Sequence, residues 1–289
     1  MREEIDLINL GDVEVYLEDV GPEEAPVMVV LHGGPGGSSY ALREGLGEYL
    51  EDFRVLYLDQ RGGGRSPELE LDNRLFTVDA LVTDLEQLRH TLGLDSWTLL
   101  GHGFGAVLAL EYARRSPQSA DGLILINPWT NFPWLAGQLY KAALVLRGMR
   151  AEAVEVELPD NPEGLLAEVF AQTEPKAAFD ALMFPNPHSR MEFEWMVEGS
   201  QIVGADGPGQ VFVENGLWRL DYTPFLPQLR VPAAVIVGEL DGTSYPEAQS
   251  VADALEGDLE LIPGAGHYPW IDEPYAFAEA LERSLGEMA

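Results

Sequence analysis

The sequence predicts an α/β fold: a mostly parallel central sheet flanked by helices, with a helical cap inserted into it. Two observations support this. Continuous apolar runs are typical of strands buried on both faces, and apolar residues at helical spacing lie between them. Strands joined by such helices require right-handed crossovers, which make neighbouring strands parallel. At 289 residues, the chain fits one large domain or a core with a sizeable insertion.

The elements follow from local patterns. Residues 5–9 and 13–17 alternate around Gly11-Asp12, which predicts a β-hairpin. From Thr77 to Leu92, apolar residues recur on one stripe, which predicts an amphipathic helix. Mainly apolar runs predict the inner strands, and these lie at 27–31, 54–58, 97–100, 123–126, 233–237 and 259–262.

The alternation of strands and helices stops after the fourth of these runs and resumes before the fifth. The intervening residues favour helix and contain no convincing buried strand. We therefore divide the chain into an α/β core, residues 1–129 and 222–289, and a helical cap, residues 130–221.

Charge and composition exclude several classes of function. The chain carries 17 basic and 49 acidic residues, a formal net charge of −32. A surface this negative repels phosphates, which argues against nucleic acids and anionic membranes as partners. No apolar run approaches the length of a membrane span and no secretion leader is recognisable, so we expect a cytoplasmic protein. The sequence leaves open whether the chain forms a homo-oligomer.

Cysteine is absent, which excludes disulfides, thiolate catalysis and cysteine metal sites. The five histidines form no HxxxH or HxH pair. We therefore expect neither a metal nor another cofactor.

The most informative motif is Gly-His-Gly-Phe-Gly at residues 101–105, between an apolar run and a helical pattern. Many hydrolases carry Gly-x-Ser-x-Gly in this context, because the sharp turn presents the serine above the sheet as a nucleophile. In this chain the presented residue is Gly103, which has no side chain that could attack a substrate.

Two later residues match the remaining members of a catalytic triad. A serine hydrolase of this fold places nucleophile, acid and histidine in that order, each after a strand. Asp241 follows a predicted strand, and His267 comes 26 residues later, after the last predicted strand. We expect Asp241 to orient the imidazole and His267 to act as the general base. Without these roles, they would be a turn aspartate and a loop histidine.

Four separated motifs make the chain resemble the α/β-hydrolase superfamily and, within it, the proline iminopeptidases. They are HGGPGG at 32–37, DQRGGGRS at 59–66, the turn at 101–105 and GAGHYPWIDEP at 264–274. The resemblance implies an α/β-hydrolase fold. It also implies a small-molecule or short-peptide substrate with a free, preferably prolyl, N-terminus.

The resemblance further assigns an oxyanion hole. One backbone N–H comes from Phe104, the residue after the nucleophile position, and another from Gly34 in the glycine loop. His32, Asp59 and Arg61 are expected to tie neighbouring loops together, and His102 to have a structural role.

Two cap segments, residues 194–198 and 213–218, resemble family motifs whose glutamates hold the substrate's amino end. They place Glu198 and Glu214 in that role, because a desolvated cation needs carboxylates to offset its lost hydration. In a chain with 49 acidic residues, both could equally be ordinary surface glutamates.

The same segments contribute Trp195 and Trp218, which could line an apolar pocket for a prolyl-like ring or belong to the core of the cap. The second segment departs from the family pattern, because Gly216 replaces a histidine.

Glycine at the nucleophile position leaves three interpretations open. The chain could be a pseudoenzyme that keeps only the binding pocket. A water activated by His267 could attack the substrate directly in the space left by the side chain. Serine could also have been replaced deliberately in an active prolyl aminopeptidase. Removing the nucleophile costs on the order of 10⁶ in kcat in subtilisin, so we expect weak or absent peptidase activity.

Overall fold

Eight strands form one central sheet in the computed structural model, which describes residues 2–151, 154, 159–202 and 206–286. The strands are β1 (Arg2–Asn9), β2 (Glu14–Gly21), β3 (Val27–Leu31), β4 (Arg54–Asp59), β5 (Trp97–His102), β6 (Ala120–Ile126), β7 (Ala233–Gly238) and β8 (Asp258–Ile262). Their order across the sheet is β1-β2-β4-β3-β5-β6-β7-β8. β2 pairs antiparallel with β1 and with β4, and the other neighbours are parallel. The predicted mostly parallel sheet is therefore confirmed.

Burial explains why the apolar runs form the inner strands. β4, β5 and β7 are buried at every residue. Side chains of β3 alternate between the faces: Val29 and Leu31 join one hydrophobic cluster, and Met28 and Val30 join the other. Each face of the sheet thus has its own core.

Helices cover both faces, and a further group lies between β6 and β7 in the chain. Around the sheet are α1 (Tyr40–Leu46), α2 (Val78–Thr91), α3 (Gly105–Arg115), α9 (Tyr245–Leu255), α10 (Pro269–Asp272) and α11 (Pro274–Gly286). The inserted group is α4 (Phe132–Leu146), α5 (Pro162–Phe170), α6 (Pro175–Met183), α7 (Pro187–Ser200) and α8 (Asp206–Glu214). None of the helices in the described ranges combines the length and apolar character that crossing a membrane requires.

The inserted segment leaves and rejoins the sheet at neighbouring points. Asn131 and Asp221 form an isolated antiparallel bridge, flanked by backbone hydrogen bonds of 3.0 and 2.8 Å. On this basis we propose that residues 130–221 act as a cap on a core made of residues 1–129 and 222–289.

Candidate active site

The turn between β5 and α3 places position 103 above the carboxyl end of the sheet. Gly103 has φ +55°, in the left-handed region that favours glycine. The turn also packs tightly on β3, because a Cβ on Gly105 would lie 2.1 Å from the carbonyl oxygen of Leu31. At position 103 an ideal Cβ would meet side-chain atoms only, the nearest being Nε2 of His267 at 3.2 Å, a tight contact that a shift of the imidazole by a few tenths of an ångström would relieve.

His267 and Asp241 meet beside this turn, as their order in the chain predicts. Nδ1 of His267 lies 2.9 Å from Oδ2 of Asp241, and both side chains are buried. The loop before α10 is fixed by the backbone N–H of His267, which donates to the carbonyl of Met183 at 2.8 Å. The structure therefore brings Gly103, Asp241 and His267 together.

The hydrogen bonds of Asp241 determine which imidazole nitrogen carries the proton. Its oxygens accept from the backbone N–H of Thr243 at 3.0 Å, from the hydroxyl of Thr243 at 2.6 Å and from that of Ser244 at 2.5 Å. The oxygens of Asp241 thus act as acceptors, and they accept the Nδ1–H of His267 as well. Nε2 is then the basic nitrogen, and it faces position 103.

Sequence reasoning did not identify Trp129, which supports this pair from the opposite side. Its ring stacks on the imidazole of His267 at 5.5 Å and 28°, and its Nε1 donates to the Thr243 hydroxyl at 3.0 Å. The indole of Trp129 thus fixes the plane of the His267 ring and the position of the Thr243 hydroxyl, which donates to Asp241. The signal that could have identified it was its place directly after β6, at the same edge of the sheet.

Two further buried side chains hold the backbone of His267. Nε2 of His102 and Nδ2 of Asn127 both lie 2.9 Å from its carbonyl oxygen. Asn127 also accepts from the backbone N–H of Gly238, at the end of β7, at 3.0 Å. His102 has the structural role expected of it, and Asn127 is an addition that the sequence did not reveal.

The glycine loop lies on the other side of the turn. Within the described chain, neither the backbone N–H of Gly34 nor that of Phe104 donates to an acceptor. Unpaired amides beside a reaction centre are what stabilisation of an oxyanion requires. His32 anchors this loop: its Nε2 accepts from the backbone N–H of Gln60 at 3.1 Å, and its Nδ1 donates to the carbonyl of Gly33 at 2.6 Å. Burial lowers the pKa of His32, which keeps the ring neutral.

A second network holds the loop that leads into α1. Asp59 accepts from the backbone N–H of Ser39 at 2.6 Å, from its hydroxyl at 2.7 Å and from Nε of Arg65 at 2.8 Å. Burial opposes ionisation, but these donors, led by the Arg65 guanidinium, hold the pKa of Asp59 below its ordinary value. Arg61 pairs instead with Asp84 of α2, at 2.6 and 2.5 Å. A charge pair therefore holds each of two loops: Asp59 and Arg65 hold the loop before α1, and Arg61 and Asp84 hold the loop after β4.

A cavity of about 650 Å³ opens between the glycine loop, His267 and the inserted helices. Among the residues whose side chains the structure describes, which leave out Asp206, none that lines it is Asp, Glu, Lys or Arg. Polar side chains near the glycine loop and the turn include His32, Ser38, His102 and His267. In the part of the chain that the structure describes, no cluster of three or more His, Asp or Glu side chains could hold a metal ion.

Helix α7 contributes to this cavity, but not through the residues that the sequence predicted. Phe193, Val197 and Ser200 line it, at the four- and three-residue spacing of one helix face. Glu198 lies next to that face and is exposed, and Trp195 is 62% exposed. Neither Glu198 nor Trp195 is among the side chains that line the cavity, and their contact with a ligand stays a prediction.

Helix α8 shows the same offset. Val213 lines the cavity, whereas the neighbouring Glu214 is exposed and accepts a hydrogen bond from Gln210 at 3.2 Å. The amine-binding role of Glu214 likewise stays a prediction. Trp218 lies at the cavity and is buried, and its contact with a ligand stays a prediction.

Comparisons with known proteins agree with this fold. A family model for the alpha/beta hydrolase fold matches residues 26–274. The proline iminopeptidase of Heyndrickxia coagulans is 30% identical over 261 residues, 86% of each chain. That of Lactobacillus delbrueckii subsp. bulgaricus is 30% identical over 287 residues, 94% of each. The crystal structure of a proline iminopeptidase-related protein from Thermus thermophilus is 55% identical, with a TM-score of 0.92, and the match covers 100% of this chain and 99% of that one.

Proposed function

The chain belongs to the α/β-hydrolase fold family, among its proline iminopeptidase-related members, and from this premise we propose that it binds small carbonyl compounds and hydrolyses them slowly, using a water activated by His267. The observation behind the proposal is the orientation of one nitrogen. Nε2 of His267 faces position 103 and would stand 3.2 Å from a Cβ there, with Asp241 bound to the opposite side of the ring.

A water beside Gly103 fits this arrangement. Glycine carries no side chain at this position, so a water within hydrogen-bond reach of Nε2 could donate to that nitrogen. His267 would take its proton as the water attacks the carbonyl carbon. Asp241 would stabilise the resulting imidazolium, which would then give its proton to the leaving group as the tetrahedral intermediate collapses and the bond between the carbonyl carbon and that group breaks.

The unpaired amides of Gly34 and Phe104 would stabilise the negative charge that the attack of the water creates. They would donate to the carbonyl oxygen as it becomes an oxyanion. A site without turnover needs neither this pair of donors nor an oriented imidazole.

Gly103 also limits the rate. It cannot form an acyl-enzyme, and loss of the nucleophile in a triad enzyme costs on the order of 10⁶ in kcat. The same residue favours a second candidate, a binding protein without turnover, because a glycine relieves the left-handed strain that an L-residue would carry in this turn. We propose small molecules as the partner class and the cytoplasm as the location, on the sequence grounds given above.

Single-turnover hydrolysis of a p-nitrophenyl ester of a neutral apolar acid tests the proposal. We expect release of p-nitrophenol above the buffer rate by the natural chain and its loss in His267→Ala. Gly103→Ser should raise the rate by at least about 100-fold, with a burst of about one equivalent, because an acyl-enzyme can then form.

Gly103→Ala is the matched control, since its methyl group occupies the water position without supplying a hydroxyl. Its rate should fall to that of His267→Ala. Equal rates in the natural chain and in His267→Ala would refute catalysis and leave the binding candidate, which calorimetry with an unreactive amide would then test.

A further inference from the structure

We propose that the cavity accepts an uncharged, apolar group attached to the carbonyl, and that it disfavours a protonated amine. This inference rests on the proposed function and specifies its class of ligand. It differs from the free N-terminus that the family resemblance implies.

The composition of the cavity wall is the first observation. Aromatic rings surround the cavity of about 650 Å³. The inserted helices and the segment after them contribute Phe132, Phe179, Phe193 and Trp218, and the rest of the chain contributes Trp129 and Tyr268. Aliphatic side chains such as Val197 and Val213 complete the wall. A wall of this kind matches hydrocarbon or aromatic groups, and the polar groups at one end fix the position of the carbonyl.

The second observation is that Asp241, the carboxylate beside the imidazole, already has partners. Asp241 is fully buried, and the Thr243 and Ser244 hydroxyls and the His267 ring occupy its oxygens. An amine in the cavity would have to displace one of these groups to reach it.

Two acidic residues of α6 and α7 form ion pairs with cations of the same helices. Asp180 of α6 contacts Lys176 at 2.8 Å and Arg190 at 3.5 Å. Glu194 of α7 contacts the same two cations at 3.2 and 3.1 Å. These ion pairs hold α6 against α7, and they leave the cavity wall without a described carboxylate.

A protonated amine that enters such a space loses hydration and gains no counter-charge. It must bind unpaired or first release its proton. Its affinity should then fall relative to a ligand of the same shape without the charge.

Two matched ligands test this with the natural chain: L-proline anilide, and cyclopentanecarboxanilide, in which a methylene replaces the ring nitrogen. By calorimetry at about pH 7, where an α-amino group is largely protonated, we expect the cyclopentane compound to bind about tenfold more tightly or better. The gap should narrow at about pH 9.5, where the amine is mostly neutral.

Equal or tighter binding of the proline anilide at about pH 7 would overturn this inference and leave the proposed function standing. If neither compound binds, both this inference and the proposed function are overturned. The inference would also be overturned if Glu198→Gln or Glu214→Gln weakened the binding of the proline anilide but not that of the cyclopentane compound. Such a result would show an amine site at these carboxylates.

A charge placed in the wall provides the second arm. Val197→Glu puts a carboxylate on the cavity face of α7 and should reduce the preference for the neutral compound at least threefold. Met191→Glu adds the same charge to the same helix at an exposed residue away from the cavity, and should leave the preference unchanged. If Val197→Glu left the preference for the cyclopentane compound unchanged, the proposal that the ligands bind in this cavity would be overturned.

Discussion

His102 is a buried side chain that links the turn at position 103 to the imidazole beside it. Its ring lies 4.4 Å from the ring of His267, and its Nε2 donates to the carbonyl of that residue. Burial, followed by the proximity of His267, lowers the pKa of His102 well below its ordinary value. The ring is therefore neutral in the folded protein, with its proton on Nε2.

A neutral buried histidine makes stability depend on pH. The unfolded chain takes up a proton near pH 6.5, whereas the folded chain does so only at lower pH. Stability should therefore fall as the pH drops below about 6.5, by at most about 1.4 kcal/mol per pH unit from this residue. His102→Gln keeps an N–H donor at a similar position and removes the titration. Urea unfolding between about pH 7.5 and 5 should show a smaller loss for this variant than for the natural chain.

His188→Gln, at an exposed position on α7, is the control and should leave the pH dependence unchanged. Parallel stability curves for His102→Gln and the natural chain would contradict the interpretation of His102 as a buried neutral group.

At the same scale, the sequence predicted some site residues and missed others for a physical reason. Asp241 and His267 follow strands in a fixed order, so the topology alone brings them together. Trp129 and Asn127 contact His267 through loops from different strands, and those contacts depend on register. The position of Glu198 depends on the phase of its helix, because a shift of one residue turns a side chain by about 100°, and its role stays a prediction.

Among the elements, the loop after β4 depends on α2. Arg61 and Asp84 form a two-pronged pair in which each side chain is 4% exposed. A buried pair of this kind contributes little net stability compared with apolar residues, but removing one partner leaves the other charge buried alone.

Arg61→Met should therefore destabilise the protein by about 3–5 kcal/mol, because Asp84 loses its counter-charge. The double variant Arg61→Met/Asp84→Leu should recover most of that loss. Guanidinium unfolding of the two variants and the natural chain measures both values. A double variant no more stable than Arg61→Met would show that the pair acts through its hydrogen bonds to the loop rather than through charge compensation.

The sequence predicted the strands better than the inserted helices. β4, β5 and β7 are buried at every residue, so their apolar runs stand out. Helices α5, α6 and α8 are nine residues each, too short for a stripe of apolar residues to fix their phase. The sequence therefore predicted a helical segment without its individual helices.

For the whole molecule, the net charge of −32 is the dominant electrostatic fact. Only 17 basic residues are available to 49 acidic ones, so most carboxylates repel one another across the surface. Salt weakens both this repulsion and the ion pairs, and the imbalance means that the loss of repulsion prevails.

Raising the ionic strength from about 10 mM to about 300 mM should therefore raise the midpoint of thermal unfolding by a few degrees. Scanning calorimetry in sodium chloride measures the shift. Potassium chloride at the same concentration should give the same shift if screening is the cause. A fall of the midpoint, or an effect of one cation alone, would contradict the explanation by general repulsion.

The bridge between Asn131 and Asp221 has a consequence for how such proteins can diversify. The two connecting segments that join the inserted helices to the sheet run side by side. The whole group is therefore covalently attached to the core at two adjacent points. Exchanging it between relatives would change the cavity wall and leave the histidine, its aspartate and the amide donors on the core, provided that the replacement restores the α6 carbonyl that accepts from the N–H of His267.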